Sequence, residues 1–112
     1  MRNTLLLSLL LVACGPPPLN GNWKYTIGSG GCAGTMSLTE TNGRIAGHHA
    51  CGPNISGTVD GSESGLSVAL SLNADGFKPV LITASQTASG NQLTGSANGS
   101  GFSGDAFTAV KQ

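Results

Sequence analysis

Short stretches in which apolar and polar residues alternate recur from Asn22 to the end of the chain. The clearest lies at residues 66–72, where four aliphatic residues alternate with Ser or Ala. A period of two residues is that of a β-strand with one buried face, and each stretch has the length of a strand. The pattern predicts eight strands, at residues 22–27, 34–39, 44–51, 54–60, 66–72, 78–83, 92–97 and 105–111.

Residues that favour turns separate these stretches. Asn-Gly and Asp-Gly pairs tolerate a positive φ and form tight hairpin turns. Short connections join antiparallel neighbours, because parallel strands need long crossovers. The predicted turns are Gly28-Ser29-Gly30-Gly31, Asn42-Gly43, Gly52-Pro53-Asn54, Asp60-Gly61, Asp75-Gly76, Ser89-Gly90-Asn91 and Asn98-Gly99.

Three triplets of an aliphatic residue, a small residue and glycine, at 45–47, 55–57 and 93–95, place a glycine inside a strand. Such a glycine usually marks a bend or bulge, and closing a sheet requires bends in several strands. We therefore predict an all-β domain, a small antiparallel up-and-down β-barrel of about eight strands, with an open β-sandwich as the alternative. The residues expected to point inward are Trp23, Tyr25, Met36, Leu38, Ile45, Ile55, Val59, Leu66, Val68, Leu70, Leu72, Val80, Ile82, Leu93 and Phe107.

The first thirteen residues differ from the rest. Arg2, an apolar run at positions 5–12 and the small Ala13 are together typical of a secretory signal peptide. The run is too short to span a membrane, which needs about 20 apolar residues. Leu11-Val12-Ala13-Cys14 resembles the lipobox of bacterial lipoproteins. The resemblance implies cleavage before Cys14 and attachment of lipid to its sulfur, which would anchor the protein to a membrane.

This resemblance divides the chain into a signal peptide at 1–13, a lipidated, proline-rich tether at 14–20 and a barrel domain at 21–112. Pro16-Pro17-Pro18 favours an extended spacer between the membrane and the barrel. The implied location is the bacterial cell envelope. Because Gly15 rather than Asp follows the cysteine, the resemblance favours the outer membrane where the organism has two.

With Cys14 assigned to the lipid, Cys32 and Cys51 remain as one pair. Cysteine pairs of exported proteins are usually bridged, because their compartment is oxidising. If Asn42-Gly43 is the tip of a hairpin, residues whose numbers sum to about 84 oppose each other, and 32 and 51 sum to 83. We therefore predict a disulfide across this hairpin, with a metal-binding pair or free thiols as the alternative.

Charge excludes several classes of partner. The chain carries five basic and five acidic residues, and only 9% of its residues are charged. No basic patch suits nucleic acid, and no polybasic stretch suits anionic lipid. We expect no nucleic-acid partner.

No grouping of residues indicates catalysis or a cofactor. The sequence has no Gly-x-Ser-x-Gly motif, P-loop or zinc-binding spacing. His48 and His49 are adjacent, so in a strand they point to opposite faces and do not easily share a site. We therefore expect a protein that is not an enzyme and holds neither metal nor cofactor.

Trp23, Tyr25 and His49 are the residues expected at a barrel mouth or beside a ligand, with Trp23 favoured as a plug at one end of the core. Gly21-Asn22-Trp23, the glycine rhythm and Phe107-Thr108-Ala109 resemble avidin-like and lipocalin-like barrels. The resemblance implies a meander that can hold a small ligand. Biotin does not follow, because the chain has one tryptophan and lacks the others that wall a biotin site.

The predicted function is that of an envelope lipoprotein whose barrel binds a protein partner or a small apolar ligand. A purely structural role and inhibition of an exported hydrolase are the alternatives. Short strands favour a narrow, filled barrel. An apolar cavity above about 300 Å³ would favour a small-molecule ligand, whereas a solid core with an exposed apolar patch would favour a protein partner.

Overall fold

The computed structural model describes residues 17–29 and 31–112. The predicted signal peptide, Cys14 and the start of the predicted tether lie outside these residues. Within the described part, no helix is long and apolar enough to cross a membrane. The strands are β1 (Gly21–Ile27), β2 (Cys32–Thr41), β3 (Arg44–Ala50), β4 (Ser56–Ser64), β5 (Ser67–Leu72), β6 (Val80–Gln86), β7 (Gln92–Gly99) and β8 (Phe102–Lys111).

The eight strands form a closed antiparallel barrel in which each strand pairs with the next along the chain. β1 also pairs with β8, from Trp23 opposite Lys111 to Ile27 opposite Phe107. This last pairing removes the free edges that a sandwich would keep. The predicted up-and-down barrel is therefore confirmed, and the open sandwich is excluded.

Because apolar and polar residues alternate along the strands, the side chains on one face of each strand fill the interior of the barrel. Twelve of the fifteen residues predicted to point inward are buried. Ile55 and Val80 are half-buried near one end of the barrel. Leu66 is 43% exposed, so its inward assignment is wrong. It lies in the turn between β4 and β5, where the alternation of β5 no longer applies.

The predicted turn at Asp60-Gly61 is also wrong. β4 continues to Ser64, and the chain turns at Gly65 and Leu66. Asp60 points outward and accepts a hydrogen bond from Asn73 Nδ2 at 3.0 Å. Gly61 faces inward, where a side chain would overlap the carbonyl oxygen of Ala69 on β5. This Asp-Gly pair therefore lies within a strand, with Asp60 on the outer face and Gly61 on the inner face.

The last hairpin lies further along the chain than predicted. The turn is not at Asn98-Gly99 but at Ser100-Gly101, since β7 extends to Gly99 and β8 begins at Phe102. A β-bulge near Ala97 and Asn98 interrupts the ladder between β7 and β8. Asn98 Oδ1 there accepts the backbone N–H of Gly104 at 2.9 Å. The side chain of Asn98 therefore stabilises the bulge and not a turn.

Glycines inside the strands allow neighbouring strands to approach closely. A Cβ at Gly47 would overlap the carbonyl oxygen of Ser37 on β2, and one at Gly95 would overlap that of Thr83 on β6. These glycines stand on the inner face, where their missing side chains permit sharp coiling of the strands. The bends predicted from the aliphatic-x-Gly triplets are therefore close approaches within continuous strands.

The barrel is capped at the end where β1 begins. Leu19 and Trp23 are fully buried, and Trp23 Nε1 donates a hydrogen bond to Leu19 O at 3.0 Å. The backbone N–H of Leu19 donates to Glu40 Oε1 at 3.0 Å. We call this the capped end. Trp23 plugs the core here.

Residues 17–20, the last part of the predicted tether, pack against the capped end. Pro17 O accepts a hydrogen bond from Gln86 Nε2 at 2.9 Å, and Pro18 O accepts one from Lys111 Nζ at 3.3 Å. The ammonium group of Lys111 also lies 5.9 Å from the centre of the Trp23 ring, within cation–π range. Residues 17–20 therefore extend the packing of the barrel and are not a free spacer.

A carboxyl group at the capped end makes stability depend on pH. Neither side-chain oxygen of Glu63 has a hydrogen-bond partner among the described residues. Burial and then the neighbouring Glu40 raise the pKa of Glu63 from 4.5 to about 7. The folded protein therefore keeps a proton that the unfolded chain releases between these values. The resulting stabilisation is complete below about pH 4.5 and is lost as the pH rises through 7.

We therefore expect the thermal midpoint to fall between pH 5 and pH 8, and Glu63→Gln to flatten that decline. Thermal unfolding followed by circular dichroism over this range measures both. Asp75→Asn is the control, because Asp75 is exposed in a turn. Parallel pH profiles for the wild type and Glu63→Gln would show that Glu63 does not cause the decline.

Candidate functional site

The end of the barrel opposite Trp23 holds an apolar cavity of about 220 Å³. We call it the open-end cavity. It lies where β1 and β5 end and where β2, β6 and β8 begin. Its wall includes Ile27, Ile55, Leu72, Val80, Phe102 and the pair Cys32 and Cys51.

The volume limits what the open-end cavity can hold. It is smaller than about 300 Å³, the lower end of the range for pockets that bind drug-sized molecules. An apolar cavity of about 150 Å³ nevertheless binds benzene. The space therefore suits a single ring or a short aliphatic chain. A long fatty acid does not fit inside it.

The predicted disulfide between Cys32 and Cys51 is present, with the two Cα atoms 6.0 Å apart. The predicted register is off by one, because opposed residues such as Thr35 and Ala50 have numbers that sum to 85. The two cysteines are therefore diagonal neighbours. Cys51 follows the end of β3, and its N–H donates to Ile55 O at 2.8 Å. The disulfide thus ties the loop after β3 to the wall of the cavity.

A chain of polar groups forms the floor of the cavity. Tyr25 Oη lies 3.2 Å from His49 Nδ1, and His49 Nε2 lies 2.8 Å from the backbone oxygen of Asn73. Tyr25 is 2% exposed and His49 is 7% exposed. Both side chains also line the cavity. The floor is therefore polar although the wall is apolar.

The carbonyl group of Asn73 fixes the direction of these hydrogen bonds. A carbonyl oxygen only accepts, so His49 Nε2 must carry the proton that it donates to Asn73 O. In neutral His49 the other ring nitrogen, Nδ1, is then an acceptor. Tyr25 therefore donates its hydroxyl proton to His49. Burial raises the pKa of Tyr25 to about 12, so the hydroxyl keeps its proton at physiological pH.

Gly57 gives Asn73 access to His49. It stands directly opposite His49 in the pairing of β3 with β4. A Cβ at Gly57 would overlap Asn73 O and approach Ala74 Cα to 3.0 Å. The missing side chain lets the backbone after β5 reach the histidine ring. Gly57 therefore holds the floor together without contacting the cavity itself.

Replacement of Gly57 by Ala should disturb both the fold and the floor. We expect a loss of about 2–3 kcal/mol in the free energy of unfolding, at the upper end for overpacking. The His49 Nε2–H proton should also exchange faster with water, because its hydrogen bond to Asn73 O is disturbed, and its NMR signal should weaken or disappear. Denaturant unfolding measures the first effect.

Gly65→Ala is the matched control, because Gly65 has open space around it. Its φ of 61° should cost an alanine only about 1 kcal/mol of backbone strain. Equal losses for the two variants would contradict the role given to Gly57.

The structure brings together two of the three residues predicted at a mouth. Tyr25 and His49 meet at the floor of the cavity, whereas Trp23 lies at the capped end. His48 is exposed on the outer face, as its adjacency to His49 predicted. The Trp23 side chain is thus separate from the site.

Sequence reasoning missed the loop at residues 73–79. Ala74, Phe77 and Lys78 line the cavity, and Phe77 is 53% exposed at its rim. An exposed phenylalanine directly after the turn pair Asp75-Gly76 was the available signal. The contribution of Asn73 carried no signal, because it comes from a backbone oxygen.

These features define a closed eight-stranded up-and-down β-barrel with one capped end and one apolar, open end. Comparisons with protein-family models, with curated proteins and with solved structures found no match. The function must therefore be inferred from the geometry of the cavity.

Proposed function

We propose that this protein is a non-enzymatic binding protein of the bacterial cell envelope, and that its open-end cavity takes a small apolar ligand. The observation that carries the proposal is the difference between the two ends. Leu19 and Trp23 fill one end, whereas the other keeps about 220 Å³ of apolar space. Exposed apolar space of this kind is a common feature of binding sites.

The partners of His49 support binding over catalysis. The ring bonds to a phenol and to a backbone carbonyl, and no carboxylate among the described residues bonds to it. A histidine that acts as a general base usually has a carboxylate or similar group to stabilise its charged form. The arrangement at the floor suits recognition of a ligand by hydrogen bonding.

Titration with toluene tests the proposal. The probe is a single ring of about the size that the cavity accepts. We expect backbone amide signals of Val80 and Phe102 to shift in ¹H–¹⁵N NMR spectra, with saturation. Ala74→Phe, which places a ring in the cavity, should abolish the shifts. Ala46→Phe is the matched control, because Ala46 is exposed on the outer face of β3. The absence of saturable shifts in the wild type with both toluene and phenol would refute the proposal.

A protein partner is the second candidate. Phe77 is 53% exposed at the rim, and Leu81 on the outer face of β6 is 57% exposed. The volume of the open-end cavity, about 220 Å³, also favours a protein partner, because it is below the roughly 300 Å³ expected of a small-molecule site. Pull-down from envelope extracts with wild type and Phe77→Ser compares the two candidates. A partner of defined mass that is lost on Phe77→Ser, together with no binding of toluene, would favour this reading.

We further propose that a lipid on Cys14 anchors the barrel to the membrane. The support is the lipobox-like sequence Leu11-Val12-Ala13-Cys14 and the spacer that follows it. Cys14→Ser should release a soluble, folded protein and abolish labelling by radioactive palmitate. Globomycin should block processing of the wild-type precursor. Normal processing with globomycin and no palmitate label would overturn the anchor.

A further inference from the structure

We propose that the floor of the open-end cavity selects compact apolar ligands that carry one O–H or N–H donor, with Tyr25 Oη as the acceptor. This inference rests on the proposed function, because it names the ligand class for the same cavity. A phenol, a small aromatic amine and a short alcohol belong to this class.

The hydroxyl group of Tyr25 has one proton, which it already donates in the hydrogen bond to His49 Nδ1. Asn73 O requires a proton on Nε2, and this leaves Nδ1 of the neutral ring as the acceptor for Tyr25. A hydroxyl oxygen retains two lone pairs when its proton is donated. Toward a ligand, Tyr25 therefore offers an acceptor and no donor.

The second neighbour of Tyr25 Oη among the described residues, the sulfur of Cys32, leaves this acceptor unused. Cys32 Sγ lies 3.8 Å away, and its sulfur is bonded to Cys51 and carries no proton. The sulfur therefore cannot donate to Tyr25. Cys32 and Tyr25 both line the cavity, so the unused lone pairs lie beside the space that a ligand would enter.

Burial turns this geometry into selectivity. Tyr25 Oη already donates to His49, so a ligand that donates to its free lone pairs adds a further hydrogen bond, and the site favours such a ligand. A ligand whose polar group only accepts would face oxygen lone pairs at the floor. The apolar wall and the volume of about 220 Å³ restrict the rest of the ligand to roughly one ring.

Phenol, toluene and benzaldehyde separate the possible roles of the floor. Phenol adds a donor to a ring of nearly the same size as toluene, and benzaldehyde adds only an acceptor. Their dissociation constants are measured by ¹H–¹⁵N NMR titration at pH 8. Tyr25→Phe should raise the dissociation constant of phenol about fivefold to tenfold, which corresponds to the loss of one hydrogen bond. The ratio of phenol affinity to toluene affinity should fall by the same factor.

His49→Leu gives a reciprocal test that does not remove Tyr25. Without His49 Nδ1, the Tyr25 proton becomes free to point at the ligand. We expect the affinity of benzaldehyde relative to that of toluene to rise about fivefold in this variant. If only one of the two variants gives the NMR spectrum of a folded protein, its binding data are sufficient for the test.

The outcomes distinguish this inference from the proposed function. If neither phenol nor toluene binds the wild type, the cavity is not a ligand site and both proposals fail. If toluene binds but Tyr25→Phe leaves the ratio of phenol to toluene affinity unchanged, the acceptor role is wrong. Equal weakening of phenol and benzaldehyde in Tyr25→Phe would also overturn it, since Tyr25 would then be a donor.

Discussion

Trp23→Ala should lower the free energy of unfolding by about 3–5 kcal/mol, the range typical of a buried tryptophan. Trp23 is completely buried at the capped end. Its removal leaves a cavity beneath Leu19 and removes the Nε1 hydrogen bond to Leu19 O. In a domain of this size the thermal midpoint should fall by more than 10 °C. Denaturant and thermal unfolding measure the two quantities.

Two control variants separate the causes. Trp23→Phe keeps an aromatic ring but lacks the hydrogen bond to Leu19, and should cost about 1–2 kcal/mol. Leu81→Ala removes an exposed side chain and should cost less than about 0.5 kcal/mol. Where Trp23→Ala remains folded, toluene should bind it as it binds the wild type, because Trp23 lies at the opposite end. A loss below 1 kcal/mol would show that the capped end is not part of the core.

Removal of the disulfide should cost about 3 kcal/mol. The bridge joins residues that are 19 positions apart, and closing a loop of this length restricts the unfolded chain by about that amount. Cys32→Ala combined with Cys51→Ala removes it without leaving a free thiol. The double variant should also bind toluene more weakly, because the bridge forms part of the cavity wall.

The wild type under reducing conditions provides the comparison for this variant. Its thermal midpoint should fall toward that of the double variant when the bridge is reduced. The double variant should not respond to the reductant. Equal midpoints for the wild type with and without reductant would contradict a stabilising disulfide.

Much of the barrel could be predicted from the sequence because apolar and polar residues alternate along most of the strands. The spacing of Val68, Leu70 and Leu72 already defines one buried face, and the structure buries all three. The disulfide could also be predicted, since only two cysteines remain after Cys14. These predictions depend only on local alternation and on the number of cysteines.

The errors arise where one local pattern has two physical causes. Asp60-Gly61 matches a hairpin turn, but Gly61 is needed for the close approach of β5. Asn98-Gly99 matches another, but Asn98 supports a bulge. Both strands therefore run past their predicted turns. A glycine that permits a positive φ and one that avoids a clash look the same in a sequence.

The site was less predictable than the barrel. Tyr25 and His49 could be placed on an inner face, but their contact depends on closure of the sheet. The third member of the floor is the backbone oxygen of Asn73, which no side-chain pattern reports. The role of Gly57 follows only from its register opposite His49.

Native mass spectrometry of the protein purified from the cell envelope tests ligand binding most directly. We expect the wild type and Ala46→Phe to carry a non-covalent adduct with the mass of a small one-ring or short-chain compound. Ala74→Phe, with its cavity filled, should lack the adduct while keeping the same lipid mass. Spectra in which the wild type and Ala74→Phe carry the same non-covalent species, or none, would contradict the proposal that the open-end cavity is a ligand site.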